Sequence, residues 1–146
     1  MFLRILFLSL VLVAFSCSKK VDPEGILRSY VKTRFEKRLV PKSELLPYLT
    51  GDFHSKIEAM DEEEFKSFTN LKDLVYKDLK IILKNCTEDI CQLTYLLRYK
   101  KFEGGPEKHS VEVKNVARLV KVEDRWKIDD VLSVKTYIES KKEITP

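Results

Sequence analysis

Glycine is scarce in this sequence, with four residues in 146, and histidine is scarcer still, with two. The first shortage excludes the glycine-rich loops that cradle phosphates. No Gly-x-Ser-x-Gly or His-Glu-x-x-His run offers serine-hydrolase or zincin chemistry. His54 and His109 lie in unrelated segments, so no metal set is expected and no cofactor is implied. Charge of one sign is missing as well: 27 Lys and Arg against 23 Asp and Glu leave a net charge of +4, with both signs interspersed. That excess is too small to argue for nucleic acid and suits a solvated surface. Beyond residue 16 there is no hydrophobic run long enough to cross a bilayer. A chain of this length supports one core and therefore one domain.

What is present begins with an address. Residues 1–16 read MFLRILFLSLVLVAFS, a single basic residue, Arg4, followed by an apolar stretch from Ile5 to Phe15 broken only by Ser9. As a helix this stretch would extend about 16 Å, roughly half a bilayer core, so it reads as a signal peptide and not as a permanent span. Val13-Ala14-Phe15-Ser16-Cys17 resembles a bacterial lipobox, in which a small residue precedes the Cys that becomes the acylated first residue of the mature chain. The pattern departs at position 14, where Ala stands in place of the usual Leu, and in bulky Phe15. The resemblance implies an exported, membrane-anchored protein with Cys17 lipidated; plain secretion with cleavage nearby is the alternative. Ser18 in place of Asp implies the outer membrane, periplasmic face, if the cell is Gram-negative. The tether, residues 17–21, reaches at most about 20 Å, and Lys19 and Lys20 add weak attraction to anionic head groups.

Once Cys17 is assigned to the lipid, Cys86 and Cys91 remain as a pair around Thr87-Glu88-Asp89-Ile90. This interval separates two strand-like runs, so a hairpin would place the two Cβ atoms opposite each other, as a disulfide needs. Export into an oxidising compartment would preserve the bridge. Half of a metal site is the competing reading, and it lacks further ligands. Asn85-Cys86-Thr87 matches a glycosylation sequon, which loses relevance if the lipobox makes the protein bacterial.

Asp22-Pro23 supplies a helix start, and Ile26, Leu27, Tyr30, Val31, Phe35 and Leu39 recur at helical spacing, predicting about eighteen residues of helix up to Pro41. Shorter helices are expected over Ser43–Leu49 and around Phe53, Ile57 and Met60. Asp61 with Glu64 forms a capping-box pattern ahead of Phe65, Phe68 and Leu71. From Leu79 the period falls to two. Leu79, Ile81 and Leu83, then Leu93, Tyr95, Leu97 and Tyr99, mark two strands, and Val111, Val113, Ala117 and Leu119 a third. Trp126, Ile128, Leu132 and Val134 mark the fourth, with turns at Glu103–Pro106 and Glu123–Arg125. Helices followed by an antiparallel meander make an α+β domain over residues 22–139, and residues 140–146 form a charged tail.

This element order, with its closing Trp126-Lys127-Ile128-Asp129-Asp130, resembles the cone-shaped family named after nuclear transport factor 2. The resemblance implies N-terminal helices packed on a curved, cone-like four-stranded antiparallel sheet that encloses a pocket. In some relatives, ketosteroid isomerases and dehydratases, the pocket is catalytic; in many exported members it only packs or binds. The sequence departs from the fuller pattern in having no clear strand among its helices. Tyr30, Tyr95, Tyr99, Trp126 and Asp130 are the expected pocket residues.

Asp130 is the sole catalytic candidate, since the apolar parities of the first three strands contain no Asp, Glu or His. It shares the parity of Trp126 and Ile128, which would aim its carboxylate at the core; the alternative is a strand bend where the carboxylate is solvated or bonds backbone. His54, at a helix start, is expected to be exposed. Arg98, Lys100, Lys101 and Lys108, with Lys114, Arg118 and Lys121, outnumber the acids of the middle hairpin. They form either a surface for an acidic partner or the solvated face of a sheet. Three functions follow: a non-catalytic domain that binds an apolar small molecule or an envelope protein, an isomerase or dehydratase using Asp130, and an accessory or inhibitor protein that docks through the basic hairpin.

Overall fold

The structure, a computed structural model, describes residues 22–37, 39–102 and 108–140. The expected signal peptide (1–16), the expected tether with Cys17, Lys19 and Lys20, the expected turn at 103–106 and residues 141–146 lie outside the described residues, as does the side chain of Lys108. Helix α1 spans Pro23–Glu36; the Asp22 carboxylate accepts from the Gly25 N–H at 2.7 Å, and Pro23 loses nothing at a position whose N–H has no helical partner. Leu27, Tyr30 and Val31 form its buried stripe. The helix is shorter than its apolar spacing predicts. Lys37 is already extended, and Pro41 disfavours helical backbone at Val40, so Val40 takes a core position while Leu39 is left exposed.

Helix α2 (Lys42–Leu45) runs into a 3₁₀ turn over Leu46–Tyr48, where Pro47 is tolerated in the first turn. Helix α3 (Gly51–Ala59) and helix α4 (Glu62–Thr69) follow. The Glu64 N–H donates to Asp61 at 2.8 Å and the Asp61 N–H to Glu64 at 3.2 Å, a complete capping box. Lys42 closes the other end of α3 by donating to the carbonyls of Glu58, at 2.9 Å, and Met60.

Strands β1 (Leu74–Cys86), β2 (Ile90–Phe102), β3 (Lys108–Val122) and β4 (Arg125–Ser140) pair antiparallel in sequence order. Cys86 stands opposite Cys91 across the first hairpin at disulfide distance, with Cα atoms 4.0 Å apart. At the last hairpin Glu123 and Asp124 both take positive φ, 48° and 64°, the handedness that matches the twist of the flanking strands. One core forms between the helices and the inner sheet face: Leu27, Tyr30, Leu45, Leu49 and Ile57 pack over Leu93, Tyr95, Ala117, Leu119 and Ile128. Each fully buried Leu or Ile contributes roughly 1.5–3 kcal/mol relative to exposure.

The α+β layering with helices first describes this architecture, but the cone-like sheet does not. The chain forms an open four-stranded meander with β1 and β4 as its edges. The reason lies in the helical half, which contributes no strand among the described residues and only one isolated parallel bridge, Leu49 to Ile128. In place of a further strand, Arg28 of α1 reaches the β1 edge and donates to the Leu79 carbonyl at 2.7 Å.

Beside that bridge the Thr50 N–H donates to the Ile128 carbonyl at 2.9 Å. Strand β4 then bulges: Leu119 pairs with Ile128 and Arg118 with Asp130, which leaves Asp129 as the extra residue. The Asp129 carboxylate lies against the start of α3 and is held by Arg118 at 3.1 Å. Gly51 makes this approach possible. Its φ is +59°, and a Cβ there would stand 2.2 Å from Asp129 Oδ1. Gly51→Ala is therefore expected to cost about 1–2 kcal/mol and to lower Tm by about 5 °C in a thermal melt followed by circular dichroism; an unchanged Tm would contradict this account of the joint.

Candidate functional site

Helical spacing brings Tyr30, Val31, Arg34 and Phe35 to one side of α1, where they meet Phe53 and Lys56 of α3 and Phe68 of α4. Opposite them stand the inward parities of the sheet: Tyr95, Leu97 and Tyr99 from β2, Val113 and Asn115 from β3, and Val131 from β4. Leu71 and Leu74 complete a cavity of about 380 Å³ between helices and sheet, within the size range of small-molecule sites. The walls are held by ring contacts. Tyr30 meets Phe53 edge-on at 6.3 Å between centroids, and Phe35 lies 5.9 Å from Tyr99.

The polar groups on this wall are few. Burial pushes the Tyr30 hydroxyl above its usual range, against a smaller opposing effect of Arg34. Burial raises Tyr95 well above its usual range too, with the neighbouring Tyr30 adding to it and Arg34 opposing. Both therefore stay protonated donors at neutral pH. Asn115 is buried on the inner parity of β3, between its cross-strand partners Tyr95 and Ser133. The Arg34 guanidinium stacks on Phe68 at 4.3 Å from the ring centroid and donates to the Phe68 carbonyl at 3.0 Å, while its Nε is buried without a partner.

Of the expected pocket residues, Tyr30, Tyr95 and Tyr99 come together here, and Trp126 and Asp130 do not. Trp126 is half-buried against the core. The inward placement of Asp130 is corrected by the bulge: the extra residue at 129 reverses the parity of β4, so Val131 faces the helices and Asp130 faces solvent opposite Arg118. Its carboxylate accepts from the Val131 N–H at 2.8 Å, a backbone contact and not an acid poised over a pocket. His54, the other candidate, is half-exposed beside Glu58, 3.7 Å away, and does not line the cavity.

The basic residues do not make a single patch. Arg98 pairs with Asp78 at 2.8 Å, and Lys100 shares its strand parity, while Lys101 lies on the other parity of β2. A hollow beside β1 is lined by Glu24, Arg28, Asp78, Lys84 and Arg98, but Glu24 pairs with Lys84 at 3.0 Å and Asp78 with Arg98. Both of its acids are thereby paired; of its remaining cations, Arg28 donates to the Leu79 carbonyl and Lys80 is exposed. Among the described residues no cluster of three or more His, Cys, Asp or Glu is placed to hold a metal ion, and no helix is long and apolar enough to cross a membrane.

Sequence reasoning missed Arg34, Lys56, Phe53, Phe68 and Asn115 as site residues. Two had visible signals: Arg34 stands four residues after Tyr30, and Asn115 is the one polar residue among Val111, Val113, Ala117 and Leu119 on the inward parity of β3.

No family model matches the chain, and no curated protein matches it. Among solved structures it is similar to the solution structure of a SEC-C motif containing protein from Rhodopseudomonas palustris, at 11% identity and a TM-score of 0.57, over 80% of this chain and 81% of that one. At that identity the likeness concerns the fold alone, and the fold it supports is α+β with helices ahead of an antiparallel sheet.

The buried tyrosines give a pH test. In the unfolded chain a tyrosine ionises near pH 10, whereas Tyr30 and Tyr95 hold their protons when folded. Their contribution to stability is complete below pH 10 and is lost as pH rises beyond it, by up to about 1.4 kcal/mol per pH unit for each. Urea midpoints are expected to fall above pH 10, and Tyr95→Phe to flatten that fall; equal alkaline slopes for both proteins would count against buried, protonated hydroxyls.

Proposed function

We propose that this protein is an exported bacterial lipoprotein, anchored through Cys17, whose α+β domain holds an apolar small molecule without transforming it. The observation that supports this reading is the cavity between α1, α3, α4 and the sheet. Its wall is aromatic and aliphatic, with a few polar groups to orient a ligand, and among the described residues it includes no Asp, Glu, His, Cys or Ser. Those are the groups most often used for general acid–base or nucleophilic chemistry, and Lys56, which could also serve, is exposed at the rim. The two buried tyrosines are shifted further from neutral pH. Holding a molecule, by contrast, needs only shape, apolar area and a few donors.

The anchor fits this use. A tether of residues 17–21 reaches at most about 20 Å, and Tyr30 stands about 10 Å along α1 from its start. The cavity therefore works close to the lipid surface, where apolar molecules concentrate. Several acyl chains on Cys17 would hold the domain there far more firmly than one.

Two experiments test the reading. The neutral dye N-phenylnaphthylamine is expected to bind the purified domain and to bind Leu97→Trp, which fills the cavity, about tenfold more weakly or worse; dye that ignores the substitution, or does not bind the parent, counts against a ligand cavity. Cys17→Ser is expected to move the protein from the membrane fraction to the soluble envelope fraction, and retention in the membrane would remove the lipid anchor from the proposal.

A further inference from the structure

Among the described residues two cations, Arg34 and Lys56, line the cavity, and no carboxylate does. Among the described residues neither is ion-paired, although exposed pairs such as Lys32 with Glu36 and Lys37 with Glu44 form nearby on the same helical layer. The two differ in setting. Lys56 is exposed at the rim, where water solvates its charge, whereas the Arg34 Nε is buried with no hydrogen-bond partner. A buried donor is nearly always paired in a folded protein, and one attached to a charged group is the most costly kind to leave unpaired.

Arg34 is also held in place. Its Nη2 donates to the Phe68 carbonyl at 3.0 Å, and its plane rests on the Phe68 ring, so the guanidinium is oriented before any ligand arrives. Beside it the Tyr30 and Tyr95 hydroxyls remain protonated and the polar Asn115 is buried. The remainder of the wall is apolar: Val31, Phe35, Phe53, Leu97 and Val113.

We propose that the ligand is an amphipathic carboxylate, with its anionic head at Arg34 and its apolar chain along Phe35, Leu97 and Val113. A guanidinium presents N–H groups in a plane that matches a carboxylate, and the unpaired Nε supplies the missing bond. Lys56 at the rim adds attraction for an anion entering from solvent. A cationic amphiphile meets two like charges here and is rejected. This proposal rests on the reading of the cavity as a ligand site and adds the sign of the ligand's charge.

Titration calorimetry of the full domain with decanoate and with decanol at neutral pH separates the two. Decanoate is expected to bind more tightly than decanol, and Arg34→Gln to weaken decanoate about tenfold or more while leaving decanol within about twofold. Because Arg34 also ties α1 to α4, circular dichroism accompanies the variant, and Arg34→Lys serves as the second. It keeps the charge and is expected to recover only part of the decanoate affinity. Equal affinity for decanoate and decanol, or equal losses of both in Arg34→Gln, overturns anion recognition while the cavity reading stands. Failure of both probes to bind overturns the cavity reading and this proposal with it.

Discussion

The helices and the sheet of this domain are joined at Ile128, and much else depends on that joint. Its carbonyl accepts from Thr50, its backbone bridges Leu49, and its side chain is fully buried among Leu27, Leu45 and Leu119. A β4 strand continuing regularly from Ile128 would next place Asp130 among these apolar groups, at a desolvation cost no partner there offsets. Asp129 prevents this by standing outside the ladder. Its carboxylate is matched to Arg118 and to the start of α3, and the strand resumes with Val131 inward. One inserted residue thus fixes where α3 docks, excludes a carboxylate from the interior and provides one wall of the cavity.

Element order was legible in the sequence because it rests on strong local signals. Asp22-Pro23 and the Asp61–Glu64 pair each supply their own caps, and the change of period at Leu79 separates helix from strand whatever the tertiary context. Bulges are not legible in this way. Alternation assigned Leu83, Leu132 and Val134 to the core, yet register shifts at Ile81/Leu83, Arg118/Leu119 and Lys114/Asn115 leave all three exposed. Each shift exchanges the faces for every residue beyond it. The same cause misplaced Asp130 while leaving Tyr95 and Tyr99 correctly inward, because β2 pairs with β3 without interruption.

The cone expectation rested on element order together with the closing Trp126-Lys127-Ile128-Asp129-Asp130 run. In the structure that run has a local explanation: Trp126 and Ile128 pack on the core, Asp129 meets α3, and Asp130 bonds the next backbone N–H. Those four residues are accounted for without a closed sheet. With only a parallel bridge from the helical half, the sheet ends at β1 and β4. On β4 Leu132, Val134 and Ile138 are exposed.

What remains inside is a small chamber whose chemistry follows from what was kept out of it. Carboxylates that begin or flank the helices, such as Asp22, Asp61 and Glu64, are occupied with backbone N–H groups, and those of the sheet, Asp78 and Asp129, with arginines on adjacent strands. Arg34 lacks such an acid, and its position on the face of α1 shared with Tyr30 prevents full hydration. A low-dielectric wall strengthens whatever charge is left in it. The chamber's cation is fixed on Phe68, its buried hydroxyls are held in the protonated form, and among the described residues no carboxylate or imidazole lines its wall, a setting that suits the anion recognition proposed for it.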